Sequence, residues 1–173
     1  MIFFTIIGIL VIFFGFVVFF GAPYVPSTKK YIRRAFDHFK IDASDTIVDV
    51  GSGDGVVLRV AREYGASAVG YEINPLLVYI SRLLSLRQKK IKVLMANFWL
   101  VELPRDTTYV YAFTVSRDVK RLARKLQREA DRLQKPLKLL IYGSPLKAIE
   151  ADAAFEAYSL YSFHPLHPEK AQV

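Results

Sequence analysis

The spacing of apolar positions changes along the chain, and each pattern predicts a different kind of element. Residues 1–20, MIFFTIIGILVIFFGFVVFF, are apolar almost throughout and carry no charged side chain. From about residue 45 onward, short apolar runs rich in β-branched residues alternate with segments whose apolar residues recur every three or four positions. The first pattern is typical of a membrane-spanning helix, and the second is typical of buried strands alternating with amphipathic helices.

The alternating part predicts an α/β fold with a doubly wound, mostly parallel, Rossmann-like sheet. Strands are predicted over residues 46–50, 67–73, 91–96, 108–115 and 137–143. Asn74 and Pro75 predict a helix start, because Asn caps helices and Pro suits their first turn. A further helix is predicted over residues 117–134, with apolar residues Val119, Leu122, Leu126 and Leu133 on one side. Residues 155–165 alternate as a strand does and are predicted to add an edge strand.

The N-terminal apolar run predicts one transmembrane helix over residues 1–21. Twenty helical residues span about 30 Å, the thickness of a bilayer's hydrocarbon core. A signal peptide would begin with basic residues and end at a better cleavage site than FFGAPYVP, and a buried core helix would show a polar face. The basic residues that follow the run are Lys29, Lys30, Arg33, Arg34 and Lys40. The positive-inside rule therefore predicts a single-pass membrane protein with its C-terminal domain on the cytoplasmic side.

Four parts are predicted along the chain. They are the transmembrane anchor (1–21), a linker with a lead-in helix (22–44), the α/β domain (45–165) and a short tail (166–173). The chain has no cysteine, and its three histidines lack the paired spacing of a zinc site, so no metal site is predicted.

The segment DVGSGDG, residues 49–55, is the strongest candidate for binding chemistry. Gly51, Gly53 and Gly55 fall in the first strand-to-helix turn, the place where doubly wound sheets bind ligands. Glycine permits positive φ angles and lets a ligand approach the backbone, although a tight turn alone would also explain the cluster. The loop lacks the Gly-Lys-Ser/Thr of a P-loop, and Val56 stands where a dinucleotide motif has its third glycine.

The ends of the next two strands narrow the ligand to an adenosyl compound. Glu72 ends the second strand, where a carboxylate accepts hydrogen bonds from ribose hydroxyls, although a surface glutamate is the alternative. Asn97 offers polar atoms to an adenine edge, and Phe98 offers a ring, although aromatic residues there also serve as core. An acidic loop suits a cationic ligand, and S-adenosylmethionine is such an adenosyl cation. The predicted cofactor-binding residues are Asp49, Gly51, Ser52, Gly53, Asp54, Gly55, Glu72, Ile73, Asn74, Asn97 and Phe98.

These motifs resemble those of class I S-adenosylmethionine-dependent methyltransferases. DVGSGDG resembles the first motif of that class, YEINP resembles the segment with the ribose-binding acid, and NFW resembles the segment after the third strand. More narrowly, GAPYVPSTKKYIRR, GYEINPLLV and ANFW resemble small membrane-anchored protein-lysine methyltransferases. Eukaryotic members of that group modify the c-ring protein of ATP synthase and the adenine nucleotide translocase of mitochondria. The resemblance covers residues 20–145, with Ser27-Thr28 where the family usually has Thr-Pro. It implies methyl transfer to a lysine of a membrane-associated protein.

A lysine acceptor must be neutral, and an apolar aromatic pocket raises the neutral fraction by lowering its pKa. Trp99 and Tyr111 are the predicted pocket residues; Phe98, Phe113 and Tyr142 are further candidates, each of which could equally serve as core. The sequence identifies no catalytic base. Two alternatives stay open: a methyltransferase of a small molecule or lipid, and a non-catalytic membrane-tethered module that binds S-adenosylmethionine.

The chain carries a formal net charge of +8, to which the predicted helix 117–134 contributes. Its arginines Arg117, Arg121, Arg124, Arg128 and Arg132 recur at three or four residues, opposite the leucines. They predict either a solvated helix face or a face that lies along anionic lipid. Nucleic acid is disfavoured as a partner, because few nucleic-acid substrates require a membrane anchor.

Overall fold

The structure is a computed structural model that describes residues 3–5, 7–8, 28–114, 118–146 and 149–166. The strands are β1 (Thr46–Val50), β2 (Ser67–Glu72), β3 (Ile91–Met95), β4 (Tyr109–Thr114), β5 (Leu137–Gly143), β6 (Ala153–Phe155) and β7 (Tyr158–Phe163). The α-helices of the domain are α1 (Lys29–His38), α2 (Val56–Glu63), α3 (Pro75–Leu84) and α4 (Val119–Leu133). A 3₁₀ helix, Phe98–Leu100, follows β3.

The strands form one seven-stranded sheet in the order β3-β2-β1-β4-β5-β7-β6. Strands β1 to β5 are parallel, which confirms the predicted Rossmann-like core. The prediction of a single edge strand over residues 155–165 is wrong in its placement. Strand β7 lies antiparallel between β5 and β6, and β6 forms the edge. The reason is the two-residue connection from Phe155 to Tyr158, which is too short to join anything but antiparallel neighbours.

Alternate side chains of the central strands are buried on opposite faces of the sheet. Ile47 packs beneath α1 and α2, whereas the next residue, Val48, packs toward α4. Helix α3 covers the first face near β2 and β3, where Val78 joins the core. Because both faces of β1 are covered, its sequence is apolar at successive positions instead of alternating with polar residues.

Helix α1 packs against the C-terminal end of α2. The Arg33 guanidinium pairs with Glu63 at 2.6 Å, and the Tyr64 hydroxyl lies 2.6 Å from the Asp37 carboxylate. Just after α1, the Phe39 carbonyl accepts from the Tyr109 hydroxyl of β4 at 3.4 Å.

Within the described part of the chain, no helix combines the length and apolarity needed to cross a bilayer. The predicted transmembrane helix over residues 1–21 lies almost entirely outside the described residues, which include only 3–5 and 7–8 of that segment.

Candidate cofactor and acceptor site

The glycine loop, residues 51–55, folds back over the end of β2. The Gly51 and Ser52 amides both donate to the Tyr71 carbonyl, at 2.9 and 3.1 Å. The three glycines of the loop have φ angles of +71°, +54° and +80°. A Cβ on Gly55 would collide with the Ser81 hydroxyl of α3, so the last turn of the loop requires glycine for space as well as conformation.

The outer side of this loop is open to a ligand. A Cβ built on Gly51 would meet no atom within 4 Å, and Gly51 is exposed. Next to it, the Ser52 hydroxyl is buried and has no hydrogen-bond partner among the described residues. The Ser52 side chain packs inward, within 3 Å of where a Cβ on Gly70 would lie, so it is the exposed Gly51 backbone that leaves room for the close approach of a polar ligand.

Glu72 braces the loop against the start of α3. One carboxylate oxygen accepts from the Gly53 amide at 2.9 Å, and the other accepts from the Asn74 amide at 2.8 Å. The side chain is buried, so these are charge-assisted bonds screened from water. Each carboxylate oxygen keeps a second acceptor site, which leaves capacity for hydroxyl donors from a ligand. The bracing role is one that the sequence did not reveal.

Carboxylates crowd the base of the loop. Asp49 is 4% exposed, and burial, followed by the nearby charges of Glu72 and Asp54, raises its pKa to about 8. Asp54 has a local partner, because the Arg59 guanidinium pairs with its carboxylate at 3.0 Å. Asp49 is therefore a poorly compensated acid whose ionised form a cationic ligand would stabilise.

The residues after β2 and β3 mark two further sides of the site. Asn74 caps α3, its side-chain oxygen accepting from the Leu76 amide at 3.0 Å, which confirms the predicted helix start. Ile73, the residue before Asn74, is 39% exposed, so its side chain is available as an apolar contact for a flat ring. Asn97 is exposed and accepts from the Trp99 amide at 3.0 Å, while the Phe98 ring is buried under the chain. Asn74 and Asn97 therefore stabilise the turns that they cap at the site, and Ile73 exposes its side chain there. Phe98 belongs largely to the core.

The two predicted pocket residues do not meet. Trp99 packs on the face covered by α4, and Tyr111 is buried on the opposite face, among residues beneath α1 and α2. At the open carboxyl edge, the rings of Phe113 and Tyr142 lie 5.8 Å apart, and Phe113 is 37% exposed. Tyr158 of β7 extends this cluster, 4.9 Å from Tyr142.

The Tyr158 hydroxyl is not placed to act as a base at neutral pH. Burial raises the pKa of the Tyr158 hydroxyl to about 12, so that group stays protonated. Phe113 and Tyr142 instead offer an apolar, ring-lined surface beside the glycine loop. Phe113 lies on β4, the strand next to β1, where Asp49 of β1 pairs in register with Tyr111. Tyr142 lies on β5, the second strand from β1, and pairs in register with Phe113.

The sequence also missed a buried charged network that holds residues 101–103 against α4. Lys125, 5% exposed, donates to the Val101 carbonyl at 2.6 Å and lies 3.6 Å from Glu129. Glu129 accepts from the Leu103 amide at 3.1 Å. Arg132 pairs with Glu129 at 2.6 Å and donates to the Leu103 carbonyl at 2.6 Å. The network fixes the chain that follows the NFW segment.

The arginine face predicted on α4 is therefore not uniform. Arg132 belongs to the network above, and Arg121 stacks over the Trp99 ring at 4.2 Å. Arg124 and Arg128 are exposed, and Arg117 lies outside the described residues. The reason is geometric: the segment after β3 lies against this helix and takes two of its arginines as partners.

Known proteins share both this sequence pattern and this fold. A sequence model of the ANTKMT methyltransferase domain matches residues 49–135. The human lysine N-methyltransferase of the ATP synthase c-ring protein is 34% identical over 112 residues, covering 63% of this chain and 47% of the human protein. A protein-lysine N-methyltransferase of Saccharolobus islandicus is 30% identical over 114 residues, covering 62% of this chain and 69% of that protein. The chain spans about half the length of the ATP synthase-directed methyltransferases that it matches.

Solved structures agree on the architecture. The RNA methyltransferase from Salinibacter ruber, in complex with S-adenosyl-L-homocysteine, superposes with a TM-score of 0.70 at 22% identity. The match covers 84% of this chain and 98% of that one. At this identity the likeness establishes the Rossmann-like methyltransferase fold.

Proposed function

The chain belongs to the ANTKMT methyltransferase domain family, and from that premise we propose that it transfers a methyl group from S-adenosylmethionine to a lysine of a membrane-associated protein. The observation that carries the proposal is the open glycine loop braced by Glu72 above a buried, poorly compensated Asp49. The names of similar proteins support the acceptor, because they include lysine N-methyltransferases of the ATP synthase c-ring protein and of the adenine nucleotide translocase.

The proposed cofactor fits the residues present. S-adenosylmethionine would supply an electrophilic methyl group on a sulfonium, in a molecule that also carries an ammonium group. The exposed backbone at Gly51 would leave room for its polar end, and the free acceptor sites of Glu72 would take its ribose hydroxyls. The acids at the base of the loop suit its positive charge. Ile73 would contact the flat face of its adenine ring.

The acceptor lysine would enter beside Phe113 and Tyr142. A lysine ammonium has a pKa of about 10.4 in water, so only about one in a thousand is neutral near pH 7. A ring-lined, water-poor site lowers that pKa and raises the neutral fraction. This chain would then act mainly by aligning the amine with the methyl group and by excluding water, a role that needs no dedicated base.

Membrane placement is the second part of the proposal. We propose that residues 1–21 form a single transmembrane anchor and that the domain lies on the cytoplasmic side, as the basic residues after the apolar run indicate. Residues 22–27 span at most about 20 Å even when fully extended, so such an anchor would keep the domain close to the bilayer surface.

Labelled S-adenosylmethionine tests the proposal directly. Membranes from cells that lack this protein would be incubated with the full-length chain and the cofactor carrying a labelled methyl group, and protein, lipid and small-molecule fractions would be separated. Label in membrane protein, recovered as methyl-lysine after hydrolysis, is the expected result. If label appeared only in lipid or small molecules, the methyl acceptor would belong to that class instead of being a protein lysine. If no fraction were labelled although the chain bound the cofactor, the chain would be a binding module without transferase activity.

A further inference from the structure

Helix α3 is apolar on both of its faces. Val78 packs into the core, yet Leu76, Tyr79 and Leu83 point away from it and are 46%, 65% and 53% exposed. A surface helix with one covered face normally carries polar residues on the other. Burying these apolar side chains would be favourable. The outer face of α3 is therefore an exposed apolar patch of the kind that marks an interaction surface.

This surface continues past the helix to the β3 edge of the sheet. Leu86, Met95 and Leu100 are 74%, 62% and 81% exposed. Nine of the sixteen large apolar side chains exposed among the described residues fall between residues 73 and 100. A groove of about 630 Å³ runs along this edge, between α3 and the segment after β3. We call residues 73–101 the β3-edge surface.

The charges of the β3-edge surface all have one sign. Its ionisable side chains are Arg82, Arg87, Lys89, Lys90 and Lys92, and no acid occurs between Glu72 and Glu102. All five cations are exposed. Arg87, Lys89 and Lys92 form no ion pair within the described part of the chain. A partner that covers this surface must therefore combine negative charge with apolar depth.

We propose that the β3-edge surface is a docking face for anionic lipid, with the leucines and Tyr79 entering the headgroup boundary and the lysines and arginines contacting lipid phosphates. Exposed leucine and tyrosine beside unpaired lysine is the composition by which peripheral surfaces bind charged bilayers. A peptide strand fits less well, because the Arg82 guanidinium already occupies the outward Val93 carbonyl at 2.8 and 3.0 Å. Nucleic acid would match the cations but not the leucines.

The position of the surface is compatible with a nearby bilayer. The upper part of the surface adjoins Asn74 and Asn97 at the carboxyl edge, so lipid contact there would hold the candidate site at membrane depth. The inference rests on the proposed membrane placement, but not on the identity of the methyl acceptor.

The absence of cysteine makes the test clean, because single cysteines can carry a spin label without background. Labels at Tyr79→Cys and Leu86→Cys would be compared with Ala154→Cys, an exposed position on the opposite edge strand β6. The full-length chain would be reconstituted in phosphatidylcholine vesicles with and without phosphatidylserine. Access of each label to dissolved oxygen and to a water-soluble nickel complex would then be measured.

We expect phosphatidylserine to reduce nickel access at Tyr79 and Leu86 at least threefold and to raise oxygen access, with no change at Ala154. Lys89→Glu with Lys92→Glu should abolish that protection while leaving S-adenosylmethionine affinity, measured by calorimetry, unchanged. If both surface labels stay as accessible as the Ala154 label, the lipid inference is wrong. Equal protection of both labels in vesicles of phosphatidylcholine alone would show that anionic lipid is not what covers the surface. Cofactor binding tests the proposed function separately from either outcome.

Discussion

Glu72 is the side chain whose removal should affect both stability and cofactor binding. In Glu72→Ala, two buried amides, those of Gly53 and Asn74, lose acceptors that now lie at 2.9 and 2.8 Å. A buried donor left without an acceptor costs about 1–3 kcal/mol. Water entering the vacated space offsets part of that cost, so we expect the free energy of unfolding to fall by about 2–4 kcal/mol. That corresponds to a fall in Tm of about 5–15 °C for a chain of this size.

Calorimetry on the full-length protein in detergent would give the cofactor affinity of the same variant. Loss of charge-assisted bonds, each contributing about 1.5–3 kcal/mol, should weaken S-adenosylmethionine binding by at least about tenfold. Glu72→Gln retains one acceptor oxygen and should fall between wild type and Glu72→Ala in both assays. Glu102→Ala is the matched control, because its side chain is 76% exposed and its removal should change neither quantity appreciably.

A ribose-modified ligand separates bracing from direct contact. If Glu72 accepts from the ribose, a 2′-deoxy analogue should bind wild type more weakly than S-adenosylmethionine does, and Glu72→Gln should narrow that difference. An undiminished difference would restrict Glu72 to bracing the loop. Wild-type stability and affinity in Glu72→Ala would refute the reasoning as a whole.

Four further variants test other parts of the molecule. Because the pKa of Asp49 is raised to about 8 in the folded protein, ionisation of this side chain opposes folding. The free energy of unfolding of wild type, relative to that of Asp49→Asn, should therefore fall between about pH 4 and pH 8 and level off above, as measured by urea unfolding without cofactor. Gly55→Ala should lower Tm more than Gly51→Ala, since only the former Cβ meets Ser81, whereas Gly51→Ala should mainly weaken cofactor binding; equal Tm losses would contradict this. Glu129→Gln should lower the free energy of unfolding by about 2–4 kcal/mol by leaving buried Lys125 without its counter-charge, and an unchanged value would show the pair to be dispensable.

Local signals account for what the sequence predicted well. The apolar runs 46–50 and 137–143 coincide with β1 and β5, because strands buried on both faces need uninterrupted apolar residues. Asn74 followed by Pro75 located the start of α3, because capping depends only on neighbouring residues. The glycine loop and Glu72 were brought together as expected, since parallel strands end at one edge.

What the sequence did not predict depends on long-range packing. The order β5-β7-β6 arises because the β6–β7 hairpin pairs with β5 through β7, its second strand. No local sequence signal specifies which strand of the hairpin takes that place. Trp99 and Tyr111 looked like neighbours at strand ends, but they face opposite sides of the sheet. No local signal marks Lys125 for burial; it is buried because residues 101–103 lie over α4.

The most direct test of the central claim is mass spectrometry of membrane proteins from cells that express either the wild-type chain or Gly53→Arg, a change at a buried position of the glycine loop. Circular dichroism would confirm that the variant folds, and Glu102→Gln would serve as the neutral control. The account predicts at least one membrane-protein lysine that is methylated with wild type and with Glu102→Gln and unmodified with Gly53→Arg. Lysine methylation that is identical in all three strains would contradict it.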